Sequence, residues 1–433
     1  MEQSASVLSL PIELWQHIGS YLTFKNFAKI ALTCKRLRNL LRGIIWRNVC
    51  FARHYSALND ELLAFVKYNK EPRRTSLSGI GPDVRHACII VLYDQPSTHD
   101  DGWGWVDAPG HLRRPLPPRE LDFSELLFQA MDLMPQLEDL HLDIRHLGGH
   151  AMFRFERRCI RLIAQERRGL PRLRHLRCLG IGLDWRIIDW CLNLCSLDID
   201  DQGWLMESMH QLRKLKSLRR LALTVDRDEP HELVTLSGRV IESICWAVPE
   251  IEWLILKTSK TKGPYEPHEP ETFPQTLKSF VDKCQPLRKL QRLAVVVGWK
   301  AMCYAAETAG LQPRKRGWDG AVDRLVVRMV LPELERLPPS VVEFCILREW
   351  PLYYECKRRR EDGSFSALFR EVTDGRGPGT WPVGLLDESW NPGRYVVPVG
   401  VDHQDWVGWC KPGASGAELE EETEEEEEEE EEY

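Results

Sequence analysis

The stretch PQLEDLHLDI, residues 135–144, places leucine or isoleucine at 137, 140, 142 and 144. The last three alternate with polar residues, the period of a strand with one apolar face. The same L-x-x-L-x-L spacing returns in LNLCSLDID (Leu194, Leu197, Ile199), KSLRRLALTV (Leu218, Leu221, Leu223, Val225), PEIEWLILK (Ile251, Leu254, Leu256) and RKLQRLAVVV (Leu290, Leu293, Val295, Val297). AVDRLVVRMV (Val322, Leu325, Val327, Met329) and PSVVEFCIL (Val341, Phe344, Ile346) read as later copies. PRLRHLRCLGI keeps Leu173 and Leu176 and then drifts; DVRHACIIVL (Val84, Ala87, Ile89, Val91) reads as a degenerate first copy.

The copies start at 137, 173, 194, 218, 251, 290, 322 and 341, in steps of 19 to 39 residues. Between them lie segments with helical patterning: FRFERRCIRLIAQERR, SGRVIESICWAV and TFPQTLKSFVDKCQ. A strand followed by a returning segment leaves one apolar face uncovered, so successive units must stack. The pattern resembles leucine-rich repeats of an irregular kind, because the asparagine or cysteine that follows the strand in regular repeats is mostly missing. The expected fold is α/β, with an irregular leucine-rich-repeat-like solenoid over 84–350. Separate strands of an ordinary α/β domain give a similar but less periodic trace, and that alternative stays open.

The 433 residues are 43% hydrophobic and 28% charged, ordinary values for a globular chain of two or three domains. The net charge of −7 hides an asymmetry: thirteen of the last sixteen residues are glutamate, and the rest of the chain carries +6. Thirteen scattered cysteines without a CxxC pair, no secretory signal pattern and no apolar run of membrane-spanning length predict an intracellular protein, cytoplasmic or nuclear, with free thiols. Residues 351–412 are rich in tryptophan, glycine and proline, and read as a cap on the open end of the repeats, with Trp381, Trp390, Trp406 and Trp409 as packing residues. Residues 413–433 read as a disordered acidic tail.

A second signal lies at the N-terminus, in LSLPIELWQHIGSYLTFKNFAKIALTCKRLRNLL, residues 8–41. Leu14, Ile18, Tyr21 and Leu22 recur at helical spacing, and Pro11 suits a first helical turn. Thr23 and Thr33 are placed to cap second and third helices. Three short helices in about forty residues cover their own apolar surface poorly, so such a unit needs a neighbour. The order Leu10-Pro11-x-Glu13-Leu14, Ile18, Tyr21-Leu22, Ala31-Leu32, Cys34-Lys35, Arg38 and Trp46-Arg47 resembles an F-box over residues 8–50. An F-box followed by leucine-rich-like repeats is a familiar architecture of that family, with 51–83 here as a helical linker.

The resemblance implies a three-helix module that docks a Skp-type adaptor through Leu10, Pro11, Leu14, Ile18, Leu22, Leu32 and Cys34. Trp46 matches a family position that joins the module to the following domain. The adaptor leads to a cullin and a RING subunit, and the repeats recruit an unknown protein target. The implied function is substrate recruitment to an SCF-type ubiquitin ligase. A scaffold or chromatin-associated adaptor-binding protein outside ubiquitination is the alternative, and an enzyme with an unrecognised site is another. No catalytic motif, phosphate-binding loop or cofactor signature is present, so the expectation is a non-enzyme without cofactor or metal. Three weaker signals read blandly: Cys191 and Cys195 as part of an apolar strand-like run, the cluster His141, Asp143, His146 and His150 as a solvated strand edge and loop, and the basic run Lys357 to Arg360 as a solvated loop rather than an import signal or nucleic-acid contact.

Overall fold

The computed structural model describes residues 10, 11, 14, 15, 18, 30, 33, 37, 46–70, 79–92, 123–144, 155, 157, 161, 169–179, 185–201, 205–225, 236–257, 273–297, 299–312, 319–347 and 352–371. The expected cap residues Trp381, Trp390, Trp406 and Trp409 and the acidic tail lie outside the described residues. Among the described residues, two compact units divide the chain. The first holds the residues up to Leu92 together with Leu126–Leu137, and the second holds Phe123–Glu125 and the residues from Glu138 on.

In the first unit, strand β1 (Asn48–His54) pairs in parallel with β2 (His86–Leu92), in the register Cys50↔Cys88. Helix α1 (Tyr55–Lys70) makes the crossover that parallel strands require. It buries Leu58, Leu62, Phe65 and Val66, at i, i+4, i+7 and i+8. Phe65 meets Phe51 of β1 edge-on at 5.5 Å. Asn69 then ties the end of α1 to the next turn: its Nδ2 donates to the Phe65 carbonyl at 2.7 Å, and its Oδ1 accepts the Gly81 N–H at 2.8 Å. A β-carbon at Gly81 would lie 2.1 Å from the Leu133 carbonyl oxygen, so this close approach requires glycine. The sequence pattern placed a helical linker at 51–83; β1 runs into that segment as far as His54.

The second unit is a mixed α/β arrangement around a long sheet. Strands β3 (Asp139–Asp143), β4 (His175–Leu179), β5 (Ser196–Asp201), β6 (Arg220–Val225), β7 (Trp253–Lys257), β8 (Arg292–Val296) and β9 (Glu343–Leu347) lie side by side in chain order, all parallel. Strands β10 (Leu352–Arg358) and β11 (Phe365–Glu371) close this order as an antiparallel hairpin on β9. Helices α3 (Leu205–Leu212), α4 (Gly238–Ala247), α5 (Phe273–Lys283) and α6 (Trp299–Thr308) fill successive connections, and helix α2 (Phe123–Asp132) precedes β3. Helix α6 ends in a Schellman turn: Gly310 takes φ 67°, its N–H donates to the Glu307 carbonyl, and the Leu311 N–H donates to Ala306.

Each L-x-x-L-x-L copy that becomes a strand does so for one local reason. Its first apolar residue is the end of a tight turn, not part of the strand. The N–H groups of Leu137, Leu173, Leu194, Leu218, Ile251, Leu290 and Val341 each donate three residues back, to Met134, Leu170, Cys191, Leu215, Val248, Leu287 and Pro338. Just beyond the turn, one carbonyl accepts two N–H groups of the next strand. Arg219 O accepts from Glu252 and Trp253, Glu252 O from Gln291 and Arg292, and Gln291 O from Val342 and Glu343. This turn sets the register, and the two following leucines then fall on one face, buried.

One expected copy fails. AVDRLVVRMV is not a strand: α7 (Asp319–Leu325) continues through a π-helical turn (Val326–Val330) into α8 (Leu331–Leu334). The buried residues Val322, Leu325, Val326, Val330 and Leu334 follow helical spacing, whereas Val327, which the strand reading would bury, is 57% exposed. Period 3.6 buries five side chains here and period two does not. Thr33 is also corrected: it is itself helical, and its hydroxyl donates back to the Ile30 carbonyl at 2.7 Å rather than capping a helix start.

Candidate functional site

Of the seven expected adaptor-binding residues, Leu10, Pro11, Leu14 and Ile18 are described; Leu22, Leu32 and Cys34 lie outside the described residues. The Pro11 carbonyl accepts the N–H groups of Leu14 at 3.1 Å and Trp15 at 3.3 Å, so proline opens the first helical turn. This turn splits the apolar residues. Trp15 is buried and Leu14 is 47% exposed. Pro11 is exposed, and Leu10 and Ile18 are half-buried. Leu14 and Ile18 are four apart and share one helical face. Trp46 is 38% exposed in the turn before β1, and the neighbouring Arg47 carbonyl accepts N–H bonds from Arg85 and His86. Leu14 is thus an exposed apolar side chain on a helical turn, with the half-buried Ile18 one turn further on.

The F-box-like family model matches residues 7–52. The chain carries an F-box-like domain. F-box-like domains generally bind Skp-type adaptors, and this match spans the segment that holds the Leu10–Ile18 turn. No match to the chain is found among curated proteins.

A second surface is the face of the long sheet opposite the repeated leucines. Its middle row runs, in register, through His141, Arg177, Asp198, Ala222, Ile255, Ala294 and Cys345. Here the expectation of a solvated edge for His141 and Asp143 is overturned, because both are buried. They do share a face, as strand alternation requires; His146 and His150 lie outside the described residues. Most of the buried polar side chains of the described residues lie on this face: His141, Asp143, Arg177, Ser196, Asp198, Thr224, Lys257 and Glu343. Beside them Ala222, Ile255, Ala294, Val296, Cys345 and Leu347 form an apolar cluster.

The polar half is organised around Asp198. Lys257 Nζ donates to its Oδ1 at 2.5 Å, and Arg177 Nε lies 3.1 Å from its Oδ2. Burial by itself would raise this carboxyl; Lys257, Arg177 and His141 outweigh it and hold Asp198 below the ordinary carboxylate range. Lys257 sits two strands from Asp198, and the small Ala222 between them leaves its long stem room to cross. The sequence reading missed this triad. The signal was present as charged residues at the alternate positions of three copies of one motif, but which charges meet depends on strand register.

The weaker sequence signals resolve structurally. Cys191 is buried and its thiol is pushed far up by burial, while Cys195, half-buried in the turn before β5, points its Sγ at the Asn193 carbonyl; neither lies in an apolar strand. Among the described residues no group of three or more His, Cys, Asp or Glu side chains is placed to hold a metal ion, and no helix is long and apolar enough to cross a membrane. The basic run is part of the hairpin. Lys357 pairs with Glu355 at 2.6 Å, and the Arg358 guanidinium donates to the carbonyls of Val341, Leu337, Pro338 and Gly363 while stacking on Phe365. Arg358 therefore fastens β10 to the turn before β9.

Proposed function

We propose that the chain is the substrate-recruiting subunit of an SCF-type cullin ubiquitin ligase. The observation that carries this reading is the F-box-like match at residues 7–52, with Leu14 and Pro11 turned to solvent and Trp15 turned inward. In this reading the N-terminal segment is a three-helix F-box that lays Leu10, Pro11, Leu14, Ile18, Leu22, Leu32 and Cys34 on a Skp-type adaptor. The second unit is an irregular leucine-rich-repeat-like solenoid that holds a protein target. The parallel strands in chain order and the repeated pre-strand turn support that part. The chain performs no chemistry itself; it raises the concentration of its target beside the ubiquitin-loaded enzyme.

The test is capture of a Skp-type adaptor and a cullin by the full chain and by Leu14→Asp. The substituted residue is exposed, so the variant keeps its unfolding midpoint and loses both partners. Capture of the adaptor without cullin by the unaltered chain places the protein outside ubiquitination, and capture unaffected by Leu14→Asp refutes the docking surface.

A further inference from the structure

The interior of the non-leucine face is closed to partners: Arg177 and Lys257 pair with Asp198, and its apolar residues are buried. The accessible positions lie at the N-terminal ends of the strands. There Trp253 of β7 is sandwiched between two guanidinium groups, Arg220 of β6 and Arg292 of β8, each 4.4 Å from the ring centroid. All three are half-buried. Toward β4 the same edge opens into a cavity of about 420 Å³, lined by Glu138, Arg172, Arg174, Asn193, Cys195 and Ser217 together with Pro171.

The charges along this edge are unevenly satisfied. Asp139 faces His175 at 3.7 Å, Glu252 faces Arg219 at 3.7 Å, and Glu343 faces Arg292 at 3.3 Å. Burial raises the Glu343 carboxyl above its ordinary value. Arg174 in the cavity and Arg220 in the stack have no carboxylate within ion-pair distance among the described residues. Burial and the like charge of Arg292 both press on Arg220, and nearby Glu252 offsets them only in part. A guanidinium held over an indole keeps its N–H groups free for contact with a carboxylate, and the indole keeps water from one side.

The geometry points to this edge as the docking site for an acidic peptide segment of a partner protein, with one carboxylate on Arg174 and a second on Arg220. The assignment rests on the recruiting role above and names the chemistry of what is recruited. Arg174 immediately precedes β4 and Arg220 begins β6, so the two lie two strand spacings apart, roughly 10 Å. An extended peptide advances about 3.3 Å per residue and turns every second side chain to one face, and the Arg220 guanidinium leans over Trp253, away from β4, so the matching acids are four residues apart. Polar rims with stacked arginine are suited to specificity of this kind.

The experiment is fluorescence anisotropy of the full chain with a labelled glycine-serine peptide carrying glutamates at i and i+4, against peptides with adjacent glutamates or with lysines at i and i+4. The spaced acidic peptide binds several-fold more tightly than either control, and Arg174→Gln or Arg220→Gln each weakens it about tenfold, the loss of one charged contact. Arg174 is exposed, so its variant retains the parental unfolding midpoint. Equal binding of the two acidic peptides, or binding indifferent to both substitutions, overturns the site. Binding that emerges only in a chain ending at Ala417 assigns the edge to the chain's own glutamates and also overturns it. The assay contains no adaptor, so its outcome is independent of the adaptor capture above.

Discussion

Replacing Asp198 with alanine removes the one carboxylate shared by two buried cations. The Lys257 and Arg177 side chains are 7% and 9% exposed, and both contact Asp198 directly. Each contact is worth several kcal/mol at the effective dielectric of a protein interior, roughly 4 kcal/mol at 4 Å separation. Desolvation already offsets much of this in the native state, so the pair terms do not simply add. The expected loss is about 3–5 kcal/mol, the range for breaking a buried pair on one side and a large part of the stability of a typical domain. The assay is urea unfolding at pH 7 followed by circular dichroism. The decisive comparison is the triple variant Asp198→Leu, Lys257→Met, Arg177→Met, which removes all three charges and should recover most of the stability. A loss below about 1 kcal/mol for Asp198→Ala, or a triple variant no better than the single one, refutes the account of a charge-balanced interior.

Two further outcomes follow from the geometry. Because the folded pKa of Asp198 lies below its unfolded value, its stabilisation is complete above the unfolded pKa of about 4 and is lost as pH falls through the folded value. Urea midpoints therefore fall between pH 6 and pH 3 more steeply for the parent than for Asp198→Asn; Glu343, raised by burial, contributes the opposite slope, so both are measured in a Glu343→Gln background. Gly81→Ala places a β-carbon 2.1 Å from the Leu133 carbonyl and costs about 1–3 kcal/mol, read as a lower thermal midpoint; an unchanged midpoint refutes the close packing.

Much of the strand content was legible in the sequence, because each L-x-x-L-x-L copy is both a pattern and a mechanism. The turn that begins it is also regular: Met134, Leu170, Cys191, Leu215, Val248, Leu287 and Pro338 each precede the first apolar residue of a copy by three residues. The copy at 322 misled because its valines and leucine satisfy both periods, and only the neighbouring packing chooses between them. In the N-terminal segment spacing alone did not separate Leu14 from Trp15; the structure turns the first to solvent and buries the second.

The amino-acid order alone determined most of the parallel strands, where the apolar face of each lies, and the F-box-like character of the first fifty residues. These depend on near neighbours along the chain, where spacing decides geometry. The tertiary structure decided what the other strand face became. His141, Arg177, Asp198 and Lys257 come from four copies of the motif spread over more than a hundred residues, and each alone reads as a solvated charge. Parallel register brings them onto one buried surface, where low polarity makes an unpaired charge too costly to keep. The same register sets Arg220, Trp253 and Arg292 side by side at the accessible edge. Pairing across strands is a long-range relation, and no local pattern records which partner a residue will meet.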